Sequence, residues 1–351
     1  VGAGPAGSTL AVRLAREGLR VRLVDRAAFP RPKPCGEFIS PECLPLLEEI
    51  GVAHRLREAG AHPVRGMTLR GFGQQAEGRY GRRRPYAPGV AAHGFGLRRE
   101  VFDSLLLEHA GATPGVEVEE GFRVVELVRS PESGAVDGVE GVDRSGGRRR
   151  IAARFVVGAD GLRSRVAARL GARRRRRWLC KVALTTRFEG VAPRDGGELH
   201  VFPGGYFAAC TVDRDLFSVN LVVDAARVRG GRDGLEALFE QRVRSVPTVR
   251  RRLHDARRVE PVTACGPFGT VTSRRTFGGA ALVGDAAGYV DPMTGEGISY
   301  ALIGSARLAR HLVPALDRGD ESAASFRGYE ADYRRELKPR HRTSLLLQAG
   351  M

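Results

Sequence analysis

A glycine-rich turn at the start of the chain restricts its fold more than any other feature of the sequence. The turn leads into residues 8–17, whose apolar side chains fall on one helical face. The next apolar run, residues 21–24, predicts a strand, and Asp25 closes that strand. A glycine turn, a helix, a strand and then an acidic residue are typical of a βαβ unit that binds a dinucleotide. The glycines of this G-x-G-x-x-G turn are Gly2, Gly4 and Gly7.

Each position in this unit has a physical task. Gly2 permits the tight turn, and Gly7 lets the helix pack closely against the sheet. Gly4 lets the backbone approach a pyrophosphate, whose charge is met by the N-terminus of the helix. Asp25 can accept hydrogen bonds from a ribose. Because only Val1 precedes the turn, we expect that the first strand of the unit is missing from the chain.

Composition limits the class of protein. The chain has 351 residues, of which 42% are hydrophobic and 28% charged, as in a globular protein with two domains or one large domain with an insert. The net charge of +17 suggests a nucleic-acid partner, but 54 of the 57 basic residues are arginine, a ratio typical of a GC-rich genome. The arginine run at 173–177 is an anion-binding loop or, as we favour, a solvated surface loop. We therefore expect no specific nucleic-acid partner.

Cysteine and histidine spacing argues against a disulfide framework and against a metal site. The five cysteines form no C-x-x-C pair and are odd in number. The eight histidines show no metal-binding spacing, so we expect no metal.

No apolar run is long enough to cross a bilayer, and no signal peptide is visible. We expect a cytoplasmic protein and leave peripheral membrane contact and the oligomeric state open.

The middle of the chain is rich in predicted strands. Residues 97–110 predict an amphipathic helix. Residues 116–158 alternate apolar and polar side chains in three runs, which predicts an antiparallel meander. Further strands follow in residues 180–225 and predict a separate sheet over the ligand. The expected fold class is α/β, with a Rossmann-like dinucleotide-binding part that includes a β-meander and a mainly antiparallel β-sheet that binds the substrate.

A second ligand-binding segment lies near the end of the chain. Residues 279–285 predict a strand with Asp285 at its C-terminal end, where ligands bind in open α/β sheets. A tight turn follows, and then a helix predicted from near Glu296 to Arg310. Its N-terminal N–H groups would favour an anionic ligand by about 0.3–1 kcal/mol. The turn is marked by Pro292, Gly295 and Gly297.

Taken in order, these motifs resemble those of the flavoprotein superfamily that contains aromatic hydroxylases, flavin halogenases and geranylgeranyl reductases. The glycine turn is the first of them. Residues 158–164, with Asp160 and Gly161, are similar to the D-G motif of that superfamily, and Gly284-Asp285 to its G-D motif. Arg99 is similar to an arginine on a helix beside the ribityl-phosphate region. The resemblance covers nearly the whole chain and implies FAD as a non-covalent cofactor.

The resemblance also implies a set of cofactor contacts and a division of the chain. Asp285 would bind the ribityl chain, and the segment at Asp160 would lie near the pyrophosphate. The FAD-binding part would comprise residues 1–52, 93–175 and 276–351, and the substrate-binding part residues 53–92 and 176–275. The cofactor contacts expected from the resemblance are Gly2, Gly4, Pro5, Ala6, Gly7, Asp25, Arg26, Cys35, Gly36, Arg99, Asp160, Gly284, Asp285, Pro292, Gly295, Gly297 and Ile298.

Within the superfamily, the chain is most similar to the geranylgeranyl reductase branch. Residues 33–37, Lys-Pro-Cys-Gly-Glu, resemble the Pro-Cys-Gly-Gly segment of that branch, with Glu37 in place of a glycine. In that branch the cysteine lies near flavin and substrate, so Cys35 is the candidate catalytic residue. Gly288 stands where hydroxylases usually have histidine. The halogenase W-x-W-x-I-P motif is absent because Trp178 is the only tryptophan.

Residues 202–206, Phe-Pro-Gly-Gly-Tyr, resemble an aromatic segment on the substrate sheet of the same branch. This resemblance makes Phe202 and Tyr206 candidate substrate contacts; sheet core and turn is the alternative interpretation of these aromatics.

The resemblance implies an FAD-dependent oxidoreductase acting on a small molecule. We expect it to reduce carbon–carbon double bonds of an isoprenoid-, lipid- or polyketide-like substrate. The alternative is an NAD(P)H-dependent flavin monooxygenase, a hydroxylase that acts through a C4a-hydroperoxide. The chain has no second G-x-G-x-x-G unit. The reductant is therefore expected to be NAD(P)H that visits transiently, or another electron donor.

Overall fold

The structure is a computed structural model and describes residues 1–81, 93–176, 180–228 and 230–349. The helices are α1 (Pro5–Arg16), α2 (Cys43–Glu49), α3 (Ala53–Glu58), α4 (Arg99–Gly111), α5 (Arg165–Arg169), α6 (Gly231–Ser245), α7 (Pro247–Arg252), α8 (Gly297–Asp317), α9 (Arg327–Asp332) and α10 (Lys338–Ala349). The strands are β1 (Val21–Asp25), β2 (Phe38–Ile39), β3 (His62–Val64), β4 (Gly66–Gly71), β5 (Gln74–Arg79), β6 (Gly94–Gly96), β7 (Val116–Glu120), β8 (Arg123–Arg129), β9 (Val136–Val142), β10 (Arg148–Ala152), β11 (Val156–Gly158), β12 (Arg173–Arg175), β13 (Lys181–Glu189), β14 (Gly197–Phe202), β15 (Gly205–Val212), β16 (Leu216–Asp224), β17 (Arg257–Arg258), β18 (Thr263–Cys265), β19 (Thr270–Thr272), β20 (Thr276–Phe277), β21 (Ala280–Leu282) and β22 (Gly288–Tyr289).

The parallel part of the fold joins strands that are distant in sequence. Strand β1 pairs in parallel with β7, and β11 pairs in parallel with β21. The first two residues lie between these pairs, because Val1 N donates to Val157 O and Gly2 N donates to Val24 O, each over 2.8 Å. The glycine turn therefore begins between the two parallel pairs. This is the position at which α/β folds bind ligands beyond the C-terminal ends of their strands.

Helices α1 and α8 pack against each other beside these strands. Thr9 Oγ1 of α1 lies 2.8 Å from Ser305 Oγ of α8. Leu10, Ala281 and Leu308 belong to one buried apolar cluster, which joins the two helices to β21. The helix predicted for residues 8–17 forms, but α1 begins three residues earlier because Pro5 takes its first position. It ends at Arg16, before Gly18, whose φ is 81°.

The predicted meander is smaller than expected. Strands β8, β9 and β10 form an antiparallel three-stranded sheet. The flanking runs at 116–120 and 156–158 instead form the parallel strands β7 and β11, so the prediction was wrong for these residues. An alternating pattern shows that a strand has two different faces, but it does not determine the direction or the identity of the partner strand.

The second large sheet is mainly antiparallel, as expected. Its strands follow the order β17, β13, β16, β15, β14, β4, β5, with β18 beside β13. Helix α6 covers one face, where Phe239 packs on Phe207 with ring centroids 6.0 Å apart. Residues 53–58 do not belong to this sheet, because Leu56 of α3 packs with Leu47 in the core beside α1 and α4.

The arginine run at 173–177 was predicted as a surface loop. Arg173–Arg175 instead form strand β12, which pairs antiparallel with Thr270–Thr272. Arg177 lies outside the described residues, as does Trp178.

No helix in the described part of the chain combines the length and the apolar character that a membrane span needs.

Candidate functional site

The three glycines of the first turn differ in whether the fold has room for a side chain at their positions. A Cβ atom at Gly2, whose φ is 97°, would lie 2.5 Å from Ala159 O. A Cβ atom at Gly7 would lie 1.8 Å from Gly2 O. At Gly4 the nearest atom would be Arg31 Nη2 at 3.4 Å, an ordinary contact with a flexible side chain. The fold itself therefore requires Gly2 and Gly7, whereas Gly4 leaves a space on the surface of the turn.

Positive charge and free donors surround this space. Gly4 caps α1 without a side-chain hydrogen bond, so the first N–H groups of the helix keep no intrahelical partner. The Arg31 guanidinium lies beside Gly4, with Nη2 3.2 Å from Asp103 Oδ2. Arg31 Nε is buried and has no hydrogen-bond partner among the described residues. A helix N-terminus and an arginine form a site for a pyrophosphate, and this geometry fits a dinucleotide such as FAD.

Asp25 and Arg26 end strand β1 beside this turn. The Asp25 carboxylate accepts hydrogen bonds from Ala3 N at 2.7 Å and from Ala27 N at 2.9 Å. Asp25 therefore holds the turn in place, and a carboxylate oxygen with one such bond still has a free lone pair. Arg26 is exposed to solvent.

The Asp160 carboxylate binds the first residues of helix α5. Its Oδ1 accepts a hydrogen bond from Ser164 Oγ at 2.5 Å, and its Oδ2 accepts one from Arg165 N at 2.6 Å. These bonds cap helix α5. The Asp160 backbone lies directly against Gly2, where a Cβ atom would come within 2.8 Å of its Cα.

The G-D motif lies between the first turns of α1 and α8. A Cβ atom at Gly284, whose φ is 62°, would lie 3.0 Å from the Ala6 side chain. The Asp285 carboxylate is 21% exposed and lies 3.9 Å from Lys33 Nζ. Asp285 is thus available to a ligand and is the acidic group nearest to the lysine of the Lys-Pro-Cys-Gly-Glu segment. The sequence reasoning named Lys33 only as part of the segment at residues 33–37 and predicted no contact for its side chain.

The loop after Asp285 leads to a second helix N-terminus. Gly295 N donates to Pro292 O over 2.9 Å, and Gly295 has a φ of 68° that favours glycine. Helix α8 begins at Gly297, one residue later than predicted, and has no side-chain cap. The N–H groups of Gly297 and Ile298 therefore keep no intrahelical partner, and they can stabilise negative charge on a bound flavin.

Cys35 lies beside a buried arginine. Arg99, whose side chain is 4% exposed, donates to both carboxylate oxygens of Asp103 over 2.7 and 2.8 Å. Burial lowers the pKa of Arg99, but Asp103 and Cys35 outweigh this, so its pKa is raised and the group stays charged. Glu37 N donates to Cys35 Sγ over 3.4 Å. The thiol therefore lies where the segment at residues 33–37 meets the positively charged Arg99 at the start of α4.

Gly36 lies against the second large sheet. Cys210 Sγ donates to Gly36 O over 3.6 Å, and a Cβ atom at Gly36 would meet only Asn220 Nδ2, at 4.0 Å. Cys210 and Asn220 belong to β15 and β16. Gly36 thus leaves space at the junction of the two parts.

Tyr206 is buried on the face of the second large sheet that packs against Leu162, Tyr289 and Met293. Its hydroxyl donates to Asp291 Oδ1 over 2.9 Å. Phe202 lies on the opposite face, where it packs on Phe207 beside α6. The structure therefore does not bring Phe202 and Tyr206 into one pocket. The apolar cluster around Tyr206 comprises Leu162, Ala183, Leu199, Val201, Ala208, Val222, Cys265, Phe268, Tyr289 and Met293.

Asp291, which accepts the hydrogen bond from Tyr206, is a candidate site residue that the sequence reasoning missed. Its Oδ1 also accepts a hydrogen bond from Met293 N at 2.9 Å, whereas its Oδ2 is buried with no partner among the described residues. Burial raises the pKa of Asp291 to about 6. An acidic residue between an apolar segment and the Pro292 turn is the signal that would have identified it.

No group of three or more histidine, cysteine or acidic side chains in the described ranges is arranged to hold a metal ion.

Comparison with known proteins agrees with this geometry. Residues 1–338 match the family described as FAD binding domain. The chain is 30% identical to Digeranylgeranylglycerophospholipid reductase 2 of Methanopyrus kandleri, over 96% of this chain and 82% of the reductase. It is 29% identical to Menaquinone reductase of Mycobacterium tuberculosis, over 90% of this chain and 76% of that enzyme. It is also 29% identical to Conditioned medium factor receptor 1 of Dictyostelium discoideum, over 94% of this chain but only 66% of the receptor.

Among solved structures, the myxobacterial chondrochloren halogenase superposes with a TM-score of 0.88 and is 28% identical. The match covers 98% of this chain and 80% of the halogenase. The family match extends over nearly the whole described chain and includes the glycine turn at residues 2–7, the D-G motif and the G-D motif. The chain therefore belongs to the FAD binding domain family, within the superfamily of FAD-dependent oxidoreductases.

Proposed function

We propose that this protein uses FAD to reduce carbon–carbon double bonds of an isoprenoid-, lipid- or polyketide-like small molecule. The observation that carries the proposal is the apolar cluster around Tyr206. This cluster joins the second large sheet to Leu162 of the D-G motif and to Tyr289 and Met293, which lie in the segment after the G-D motif. An apolar wall beside the cofactor suits an apolar substrate. The likeness to reductases of digeranylgeranylglycerophospholipid and of menaquinone supports the same choice.

The residues of the chain have separate tasks in this proposal. When it is bound, reduced FAD supplies the hydride, and the protein supplies position and electrostatics. Gly4 and Arg31 hold the pyrophosphate, and Asp285 accepts hydrogen bonds from the ribityl chain. The uncapped N-terminus of α8 stabilises negative charge at the flavin edge. Cys35 donates the proton that must accompany each hydride.

The reductant is NAD(P)H that binds transiently, or another electron donor. The G-x-G-x-x-G turn at residues 2–7 holds the flavin nucleotide in this proposal. No second such unit exists in the sequence. A hydride donor must then reach the flavin without a nucleotide-binding domain of its own.

Oxygen-dependent chemistry is the competing candidate. The structural likeness to the chondrochloren halogenase favours it, as does the superfamily relation to hydroxylases. Such a reaction inserts an oxygen atom or a halogen and consumes O₂. The two candidates therefore differ in their need for oxygen, which one experiment can separate.

The test uses the full-length protein with bound FAD. The flavin is reduced with dithionite without oxygen, and geranylgeranylated lipids, polyprenyl quinones or unsaturated polyketides are added separately. Flavin reoxidation and a product heavier by two hydrogen atoms for each double bond are expected. If product forms only in air and carries oxygen from O₂, or carries halogen from added halide, the reductase proposal fails.

Cys35→Ala and Cys35→Ser variants test the proposed proton donor. Cys35→Ala is expected to lower turnover or to change how many double bonds are reduced, and Cys35→Ser is expected to keep part of the activity because it can still donate a proton. FAD content should stay near that of the wild type. Cys180→Ala, a substitution at the start of the substrate sheet, is the matched control. Equal rates and products for Cys35→Ala and wild type would assign Cys35 to packing.

A further inference from the structure

A large basic cavity lies behind the G-D motif, and neither the FAD assignment nor the proposed reaction uses it. Its volume is about 1010 Å³. One part of the wall is formed by Arg176, by β19 with the residues that follow it, and by Gly288 of β22. Another part is formed by α9, α10 and the residues between them. The backbone of Ala287 and Gly288, just after Asp285, forms part of the lining.

The lining of this cavity is strongly positive. The acidic residue in the lining, Glu330, already accepts hydrogen bonds from Arg275 N at 2.5 Å and from Arg275 Nε at 3.1 Å. Seven basic side chains line the cavity beside this one acidic side chain, and an anion would reduce the repulsion among them. The basic lining residues are Arg176, Arg274, Arg275, Arg327, Arg334, Lys338 and Arg342.

A buried hydroxyl also lacks a partner in this cavity. Thr270 is 3% exposed and lines the cavity, and its Oγ1 forms no hydrogen bond with any described residue. Buried polar atoms are nearly always hydrogen-bonded, so an orphaned donor marks a place where a ligand atom or water is expected.

Gly288 contributes to the depth of the cavity. A side chain there would meet Tyr333 Oη, since the Cβ position lies 3.5 Å from that atom. The φ of Gly288 is 129°, which also favours glycine. The absence of histidine at this position, noted in the sequence, therefore leaves room in the basic cavity.

We propose that this cavity binds a nucleotide-sized molecule that carries two or more phosphate groups, separately from FAD. Arginine guanidinium groups bind phosphate through paired hydrogen bonds, and the volume is that of a site for a small organic ligand. A concave site with a buried hydroxyl favours a small molecule over a nucleic-acid duplex, because the backbone of a duplex cannot reach Thr270. Of the arginine run at 173–177, Arg176 lines the cavity and would take part in this binding.

The test uses full-length protein saturated with FAD, so that the pyrophosphate site at Gly4 is filled. ATP, NADP⁺ and inorganic pyrophosphate are titrated separately by calorimetry in 0.15 M salt, about physiological ionic strength, while flavin absorbance records FAD content. We expect saturable binding and unchanged FAD content. Preference for NADP⁺ over ATP identifies a phosphorylated reductant as the source of the ligand chemistry, and the reverse preference identifies another nucleotide; both support the site.

Three variants locate the binding. Arg334→Gln combined with Lys338→Gln removes two exposed charges from the lining and is expected to weaken binding about tenfold or more. Thr270→Val removes the hydroxyl at nearly constant volume and is expected to weaken binding about two- to tenfold. The matched control, Arg250→Gln combined with Arg251→Gln, removes the same charge from exposed positions on α7 and should not change affinity.

Several results would overturn the proposal. They are no binding of the three probes, equal binding by the lining and control variants, and displacement of ATP by duplex DNA at lower concentration than by pyrophosphate. The last result would mean that the basic surface is a nucleic-acid face. Thermal unfolding of each variant shows that loss of binding is not loss of fold.

Discussion

Arg187 and Glu37 form a buried ion pair between the second large sheet and the segment at residues 33–37. Arg187 Nε donates to Glu37 Oε2 over 3.0 Å, and Arg187 Nη2 donates to Glu37 Oε1. The two side chains are 6% and 0% exposed. Burial raises the pKa of Glu37, although the hydrogen bonds from Arg187 oppose this shift. The residue that replaces the family glycine has a φ of 57°, so it adopts a glycine-like conformation and is held there by Arg187.

Loss of this pair is expected to destabilise the protein strongly. Arg187→Gln leaves the Glu37 carboxyl buried without its cation, and removing one partner of a buried pair costs about 3–5 kcal/mol. Arg257→Gln, which breaks an exposed pair with Glu189, is the control and should cost less than about 1 kcal/mol. Urea unfolding of both variants measures the difference. Equal losses for the two would show that the buried pair does not hold the sheet to the Cys35 segment.

The glycines of the first turn are expected to respond differently to alanine. Gly4→Ala should fold, because its φ of −77° suits any residue and its Cβ would meet only a flexible side chain. The added methyl group should weaken FAD binding by about tenfold or more, since it fills the space proposed for the pyrophosphate. Gly7→Ala should not fold, because its Cβ would collide with backbone. Circular dichroism and FAD fluorescence titration check both results; tight FAD binding by Gly4→Ala would contradict the proposed site.

Asp285 is expected to contribute to FAD affinity through a charge-assisted hydrogen bond. Asp285→Ala should lose about 1.5–3 kcal/mol of binding, or about tenfold to hundredfold in affinity. Asp285→Asn keeps an acceptor and should lose less. Asp317→Ala, at an exposed position at the end of α8, is the control. Unchanged affinity in Asp285→Ala, measured from released flavin, would remove Asp285 from the site.

Asp291 is expected to make stability depend on pH. Its folded pKa of about 6 lies above the ordinary value of 3.8, so the folded state binds more protons between these values. The free energy of unfolding contributed by Asp291 therefore falls as pH rises from about 4 to 6, by about 3 kcal/mol in total. Asp291→Asn lacks this penalty and should be more stable than wild type at pH 7, with the difference vanishing near pH 3.5.

Unfolding midpoints of wild type and Asp291→Asn from pH 3.5 to 8 test this expectation. Tyr206→Phe removes the hydrogen bond that favours the carboxylate, so in that variant the pKa of Asp291 should rise further and the pH-dependent loss should extend to higher pH. A constant difference between Asp291→Asn and wild type at all pH values would show that Asp291 does not titrate in this range.

Local sequence was sufficient for the elements around the first turn. The end of the first helix before Gly18 and the strand ending at Asp25 form where the pattern predicts them, and the helix itself begins three residues earlier than predicted, at Pro5. Their geometry depends on neighbours within a few residues, such as the positive φ at Gly2 and Gly18. The start of α8 near Glu296 was predictable for the same reason. Local spacing therefore determines these elements and the order of the cofactor motifs.

Long-range packing decided the rest of the candidate site. Glu37 and Arg187 are 150 residues apart, and Tyr206 and Asp291 are 85 apart, so no local pattern pairs them. The same holds for Phe202, whose strand register places it on the face opposite Tyr206. The basic cavity forms only where Arg176 packs together with residues 270–276 and 327–345. The sequence by itself determined the cofactor motifs, because they depend on backbone conformation over a few residues. Only the tertiary structure decided which buried charges meet and which faces are apolar, because those depend on the partners of each strand and helix.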